Sequence, residues 1–258
     1  MATDFIIVIL ATFIVSLFSL SGIFALSLNE ERLHSVLFFL IAFSAGTIFG
    51  ASLFDLLPEA VELVDEHLVS PYIALGFVAF FFLERFIYWY HGHGHSEDIK
   101  IIREKTETST FAYLNVLGDG IHNFLDGMII AASFSVGYQV GVASTIAVIF
   151  HELPQEMGDY GILIYSGFEK VKALALNFVA ALTVVVGGIF ASFFLEAVDT
   201  LSGFLIAFSA GAFLYLSAAE LIPEMKKEDE FWRSLIQFVV FLIGMAVIYS
   251  LGFIFPHE

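Results

Sequence analysis

Two neighbouring apolar stretches of this chain hold five carboxylates and two histidines, and neither stretch contains a Lys or Arg. The first reads Gly118-Asp119-Gly120-Ile121-His122-Asn123-Phe124-Leu125-Asp126-Gly127, and the second His151-Glu152-Leu153-Pro154-Gln155-Glu156-Met157-Gly158-Asp159. An acid at the centre of a membrane helix costs roughly 2.5–3.5 kcal/mol, so five left bare cost on the order of 15 kcal/mol. Protonation or a bound cation must supply the missing positive charge. Imidazole beside carboxylate favours a transition metal over a hard cation.

Helical spacing puts Asp119, His122, Asn123 and Asp126 on one stripe, because offsets of three and four bring side chains together. His151, Glu152, Gln155, Glu156 and Asp159 cover one broadened face of the second stretch. His122 and Glu152 each fall near the middle of their stretch, so antiparallel packing would bring both motifs to one depth. Oxygen and imidazole ligands meeting there suit Zn, Fe(II), Mn or Cd, and a chain with no cysteine offers no thiolate to hold an ion more tightly. Pro154 removes a backbone donor and leaves the carbonyl of Phe150 without its helical partner, which predicts a kink. Gly118, Gly120, Gly127, Gly158 and Gly161 would let the two helices approach closely.

These stretches belong to a very apolar chain. Mean hydropathy of +0.90, with 59% hydrophobic and 14% charged residues, places 258 residues among polytopic membrane proteins. Apolar runs near 5–27, 35–57, 71–90, 110–136, 140–165, 173–195, 201–223 and 234–254 predict eight transmembrane helices. All ten basic residues fall in alternate loops or the span ends entering them. The positive-inside rule then makes the loops after spans 1, 3, 5 and 7 cytoplasmic and puts both termini outside. The N-terminus has no basic n-region, so the first span reads as a retained helix. The net charge of -17 is no nucleic-acid signal; acidic outer segments would concentrate cations.

Residues 41–60, IAFSAGTIFGASLFDLLPEA, align without gaps on 206–225, IAFSAGAFLYLSAAELIPEM, with ten identities in twenty. The copies are spans 2 and 7, an odd number of crossings apart, so they run in opposite directions. Inverted repeats of this kind are typical of secondary transporters, whose sites lie near the bilayer midplane. The expected architecture is all-α, one transmembrane domain over 1–258 in a 3+2+3 arrangement. Repeats at about 5–90 and 173–254 flank central helices 110–136 and 140–165.

Other polar groups could line an ion path: Asp55 and Glu59 at the outer end of span 2, Glu220 and Glu224 at the inner end of span 7, Asp119 and Asp159, and Asn177 on span 6. The cytoplasmic loop 91–109 holds His91, His93 and His95 between glycines, a pattern suited to loose metal capture. The thirty-one Phe residues read as lipid-facing bulk.

The paired motif, H-N-F-L-D-G followed by H-E-L-P-Q-E-M-G-D, resembles the fourth- and fifth-helix signature of the ZIP (Zrt/Irt-like protein) family of divalent-metal transporters, and the resemblance covers the whole chain. It implies eight spans, a midplane binuclear metal site and a sliding, elevator-like movement. It further implies His122, Asn123, Asp126, His151, Glu152 and Gln155 as ligands, with Glu156 next. Gln155 stands where other members often have His or Glu, and Asp126 where some have Glu. A neutral Gln is a weaker ligand, so occupancy, metal preference or the number of bound ions would differ.

The expected function is transport of a divalent cation, zinc foremost, into the cytoplasm by alternating access. No enzymatic activity or nucleic-acid binding is expected. The expected partners are the metal ion, the lipid bilayer and a second copy of the chain, and the expected location is the plasma (inner) membrane. Two rivals remain. A metal-gated channel or receptor would share the site. An intramembrane zinc protease pairs H-E-x-x-H with L-D-G, but here Gln155 replaces the second His and the order is reversed.

Overall fold

A computed structural model describes residues 2–22, 30–90, 105–197 and 200–254. Among these residues every regular element is helical: α1 (Ala2–Leu17), α2 (Glu30–Ala51), α3 (Leu57–Leu63), α4 (Glu66–Tyr90), α5 (Lys105–Val136), α6 (Tyr138–Tyr165), α7 (Lys170–Ala181), α8 (Thr183–Ala197), α9 (Leu201–Tyr215), α10 (Ile222–Met225) and α11 (Phe231–Ile254). His91, His93 and His95 lie outside the described residues.

Among the described residues, five segments are long and apolar enough to cross a membrane: Ser35–Leu63, Glu66–Leu83, Lys170–Leu195, Leu201–Met225 and Phe231–Leu251. Phe5–Ser21 is apolar but shorter. α5 and α6, with 32 and 28 residues, have ample length at about 1.5 Å per residue for a hydrocarbon core of about 30 Å. Neither is among those five segments, for their motifs carry histidines and amides as well as acids. Large apolar side chains cover the outside, Phe82 and Phe193 being about two-thirds exposed at 66% and 64%. Buried polar residues sit within, the arrangement a lipid solvent demands.

Helix ends depart from the apolar runs for identifiable reasons. α4 starts at Glu66 rather than at Pro71, because the Asp65 carboxylate accepts the His67 N–H (3.0 Å) and caps a polar first turn. The run 173–195 is divided at Leu182, where the Thr183 hydroxyl lies 2.6 Å from the carbonyls of both Ala180 and Gly120.

The sequence repeat has a structural counterpart. π turns interrupt both copies, at Ser52–Leu56 and Leu216–Leu221, each followed by a helix with Pro58 or Pro223 in its first turn, where a missing N–H costs least. Each copy also crosses a partner at a reciprocal pair of glycines. A methyl on Gly46 of α2 would sit 2.0 Å from the Phe241 carbonyl oxygen of α11, and one on Gly244 would sit 2.5 Å from that of Phe43. In the second copy, a methyl on Gly211 of α9 would sit 1.8 Å from the Ile73 carbonyl oxygen, and one on Gly76 of α4 would sit 1.9 Å from that of Phe208. Gly127 of α5 and Gly187 of α8 form a third such crossing, where a methyl on either would sit 1.9 Å from a backbone oxygen of the other helix. Three of the glycines expected between α5 and α6 act otherwise: Gly127 approaches α8, while a methyl on Gly158 or Gly161 would meet nothing within 4 Å.

Candidate metal centre

α5 and α6 pack against each other and bring the two motifs to one depth. Four atoms converge. His151 Nε2 lies 3.0 Å from both Asp126 Oδ2 and Glu152 Oε1, and His122 Nε2 lies 3.6 Å from the same two oxygens. The two Nε2 atoms are 3.3 Å apart. A tetrahedral ion bound at about 2.0–2.1 Å would separate its ligand atoms by about 3.4 Å, which matches these spacings. All four residues are buried, Asp126 completely.

The hydrogen bonds around His151 also call for a cation. His151 Nδ1 is 3.3 Å from the Ala147 carbonyl, an acceptor that requires the proton on Nδ1 in a neutral ring. Nε2 then presents a lone pair to two carboxylate oxygens and a second imidazole. Acceptors facing acceptors need a positive charge between them, from a metal or a proton. The Nδ1 contact is also how a ligating histidine is usually oriented. Phe80 stands edge-on to His122 with ring centroids 5.7 Å apart, and Phe213 flanks His151 at 6.4 Å.

A second group adjoins the first. Oxygens of Asp119, Glu152 and Glu156 lie within 4.8 Å of one another, all buried, so Glu152 belongs to both groups. Amides surround it. Asn123 donates to Asp119 at 2.9 Å, Gln155 donates to the same oxygen at 3.2 Å, and Asn177 of α7 donates to the Glu156 carboxylate. The carbonyl oxygens of Asn123 and Asn177 are buried without a hydrogen-bond partner. Asn123 and Gln155, implied as ligands by resemblance, thus lie beside the four-atom cluster and hold Asp119. Asp159 lies further along α6 and accepts from Asn115 at 2.7 Å.

A cavity of about 400 Å³ reaches this centre from one end, lined by His122, His151, Asp119, Gln155, Asp159, Glu220 and Glu224 among others, with no Lys or Arg among its described lining residues. Of the repeat-related acids, Glu220 and Glu224 line it. Asp55 does not: it is buried in the π turn after α2 and accepts from Gln139 at the start of α6 (3.2 Å). Glu59, on α3, is likewise outside the lining.

Three contributors escaped the sequence reading. Asn115 was detectable, four residues before Asp119 on the same stripe. Gln139 has no such local signal. Nor does Ser44, whose hydroxyl on α2 donates to the Phe150 carbonyl that Pro154 leaves without a donor. α6 is helical from Tyr138 to Tyr165, with Pro154 inside it.

The chain resembles known proteins over most of its length. It is 30% identical to the zinc transporter YKE4 of Saccharomyces cerevisiae, across 85% of this chain and 72% of that protein. With zinc transporter zipt-7.1 of Caenorhabditis briggsae it shares 28% identity, over 95% and 81% of the two. With the metal cation symporter ZIP14 of Xenopus tropicalis the identity is 29%, over 91% and 66%. The family model described as ZIP zinc transporter matches residues 4–109 and 90–252. With nearly every residue inside that match, the chain belongs to the ZIP zinc transporter family.

Proposed function

We propose that this chain carries divalent transition-metal ions, zinc foremost, across a membrane through the buried α5–α6 centre by alternating access. The observation that carries this is the four-atom cluster of His122, His151, Asp126 and Glu152, spaced 3.0–3.6 Å as a tetrahedral ion requires. Those four are the first ligands in this reading. Asp119, Glu152 and Glu156, with Asn123, Gln155 and Asn177 around them, form a second station for the ion leaving the imidazoles. Asp159, Glu220 and Glu224 then line its way out, and Asp55 and Glu59 stand on the opposite approach.

The fold of the proposal is a single domain of eight spans in a 3+2+3 inverted repeat, with both termini outside. Matching π turns and matching glycine crossings in the two copies support it. With the basic loops inside, the cavity opens to the cytoplasm, so the conformation described here is the inward-open one. Residues His91, His93 and His95 would capture metal in the cytoplasmic loop. The plasma membrane and a homodimer complete the reading. Fe, Mn and Cd are further candidates for cargo, since imidazole and carboxylate accommodate them. A zinc protease is not supported: Gln155 turns to Asp119 rather than to the imidazoles, and the named relatives are transporters.

The test is uptake into proteoliposomes with Zn, Fe, Mn and Cd in competition. Saturable zinc uptake that is lost in His122→Ala and Glu152→Ala, with both variants still inserted, is the expected result. Saturable uptake unchanged in both variants would overturn the assignment, and flux that never saturates would point to a channel.

A further inference from the structure

α6 carries a defect at the point where it matters most. Pro154 has no N–H, so the carbonyl of Phe150, directly before His151, lacks a donor in its own helix. A buried carbonyl left bare costs about as much as a lost hydrogen bond. The Ser44 hydroxyl of α2 supplies the donor, and Ser44 is completely buried. The adjacent Phe43 packs edge-on against the Phe150 ring at 4.5 Å. Two consecutive residues of α2 therefore grip Phe150 by backbone and side chain. Three residues earlier on the same helix is Ala147, whose carbonyl lies 3.3 Å from His151 Nδ1.

The repeat supplies an internal control. Ser209 occupies the position of Ser44 in the same hexapeptide, IAFSAG. Its hydroxyl turns to Leu205 of its own helix at 2.6 Å, the usual resort of a helical serine. The same residue in the same local sequence thus takes a different acceptor, and α6 beside Ser44 offers a carbonyl that proline has left free.

We infer that Ser44 is a positioning residue of the metal centre: it replaces the hydrogen bond Pro154 removes and so fixes the backbone that aims His151 Nε2 and Glu152 Oε1 at one point. The inference rests on the metal site proposed above. It makes α2, which contributes no ligand, a determinant of metal affinity.

A double-mutant cycle with Co²⁺ as probe tests it on the full-length chain in detergent. Affinity and the cobalt d–d absorption are measured for the unsubstituted chain, Ser44→Ala, Pro154→Ala and the double variant. Ser44→Ala should weaken cobalt binding by about threefold to tenfold, the worth of one buried hydrogen bond, and should alter the d–d band. With Pro154→Ala, residue 154 regains an N–H for Phe150, so adding Ser44→Ala should change affinity by less than about twofold. Should Ser44→Ala fail to accumulate, the nearly isosteric Ser44→Cys, with its weak donor, is read in both backgrounds instead. An unchanged affinity and band, or an equal loss in both backgrounds, overturns the role of Ser44. No cobalt signal in the unsubstituted chain overturns the metal site itself, and this inference with it.

Discussion

His151 has its Nδ1 committed to the Ala147 carbonyl and its Nε2 surrounded by acceptors, so the ring is built to give up an electron pair. That arrangement separates residues that an apolar scan treats alike. Asp126 and Glu152 share the point of convergence with both imidazoles, whereas Asp159 is occupied by Asn115. Asp126→Asn should weaken zinc binding at least about tenfold, as loss of one ligand charge from a low-dielectric site implies. Asp159→Asn, equally isosteric, should change affinity less than about threefold; isothermal titration of the two variants reads the difference. Protons and metal compete for the same imidazole lone pairs, and free imidazole protonates near about pH 6.5. Zinc affinity should therefore fall as the pH is lowered, by up to about tenfold per imidazole for each pH unit over which that ring is protonated in the metal-free protein. Binding that is flat between pH 7 and pH 5 would remove histidine from the ligand set.

Helices cross where glycines let backbones touch, and these contacts sort the glycines by consequence. Gly76 and Gly211 each face a backbone oxygen closer than 2.0 Å to where a Cβ would be, and a backbone cannot swing aside as a side chain can. Gly76→Ala and Gly211→Ala should lower the unfolding temperature or prevent accumulation of the protein. Gly158→Ala and Gly161→Ala meet nothing within 4 Å and gain helix propensity worth about 0.8–1 kcal/mol, so thermal stability should hold or rise. A thermal melt of the four purified variants decides it, and equal losses at all four sites would contradict the close crossings. The π turns belong to the same scale. They fall at matching places in the repeat, and the one after α9 puts Glu220 on the cavity wall.

Over the whole molecule, the acid-lined cavity opens at one end, and a chain with no cysteine permits a clean test of which end. Glu224→Cys should react with a membrane-impermeant maleimide added from the cytoplasmic side, and Glu59→Cys with reagent added outside; the opposite pattern would invert the proposed orientation. Saturating zinc should also stabilise the fold, by about 2.7 kcal/mol at a hundredfold excess over Kd, read as a rise in melting temperature that His122→Ala abolishes. Much of this was legible before folding was considered, because it depends on local composition and spacing. Five of the eight apolar runs named helices long and apolar enough to cross a membrane, offsets of three and four named the polar stripes on α5 and α6, and twenty aligned residues exposed the repeat. What spacing could not decide was which members of a stripe meet. Asn123 and Gln155 share the stripes of His122 and Glu152, yet their amide nitrogens turn to Asp119, a choice of partner that spacing along either helix does not specify. Glycines assigned to the α5–α6 contact serve α8 or open space instead. Ser44, more than a hundred residues from Phe150, could be matched to that unfilled carbonyl only once α2 lay against α6. Periodicity along a chain records which face a residue occupies, while the partner on the other side of that face is set by how whole helices cross, and no local pattern carries that information.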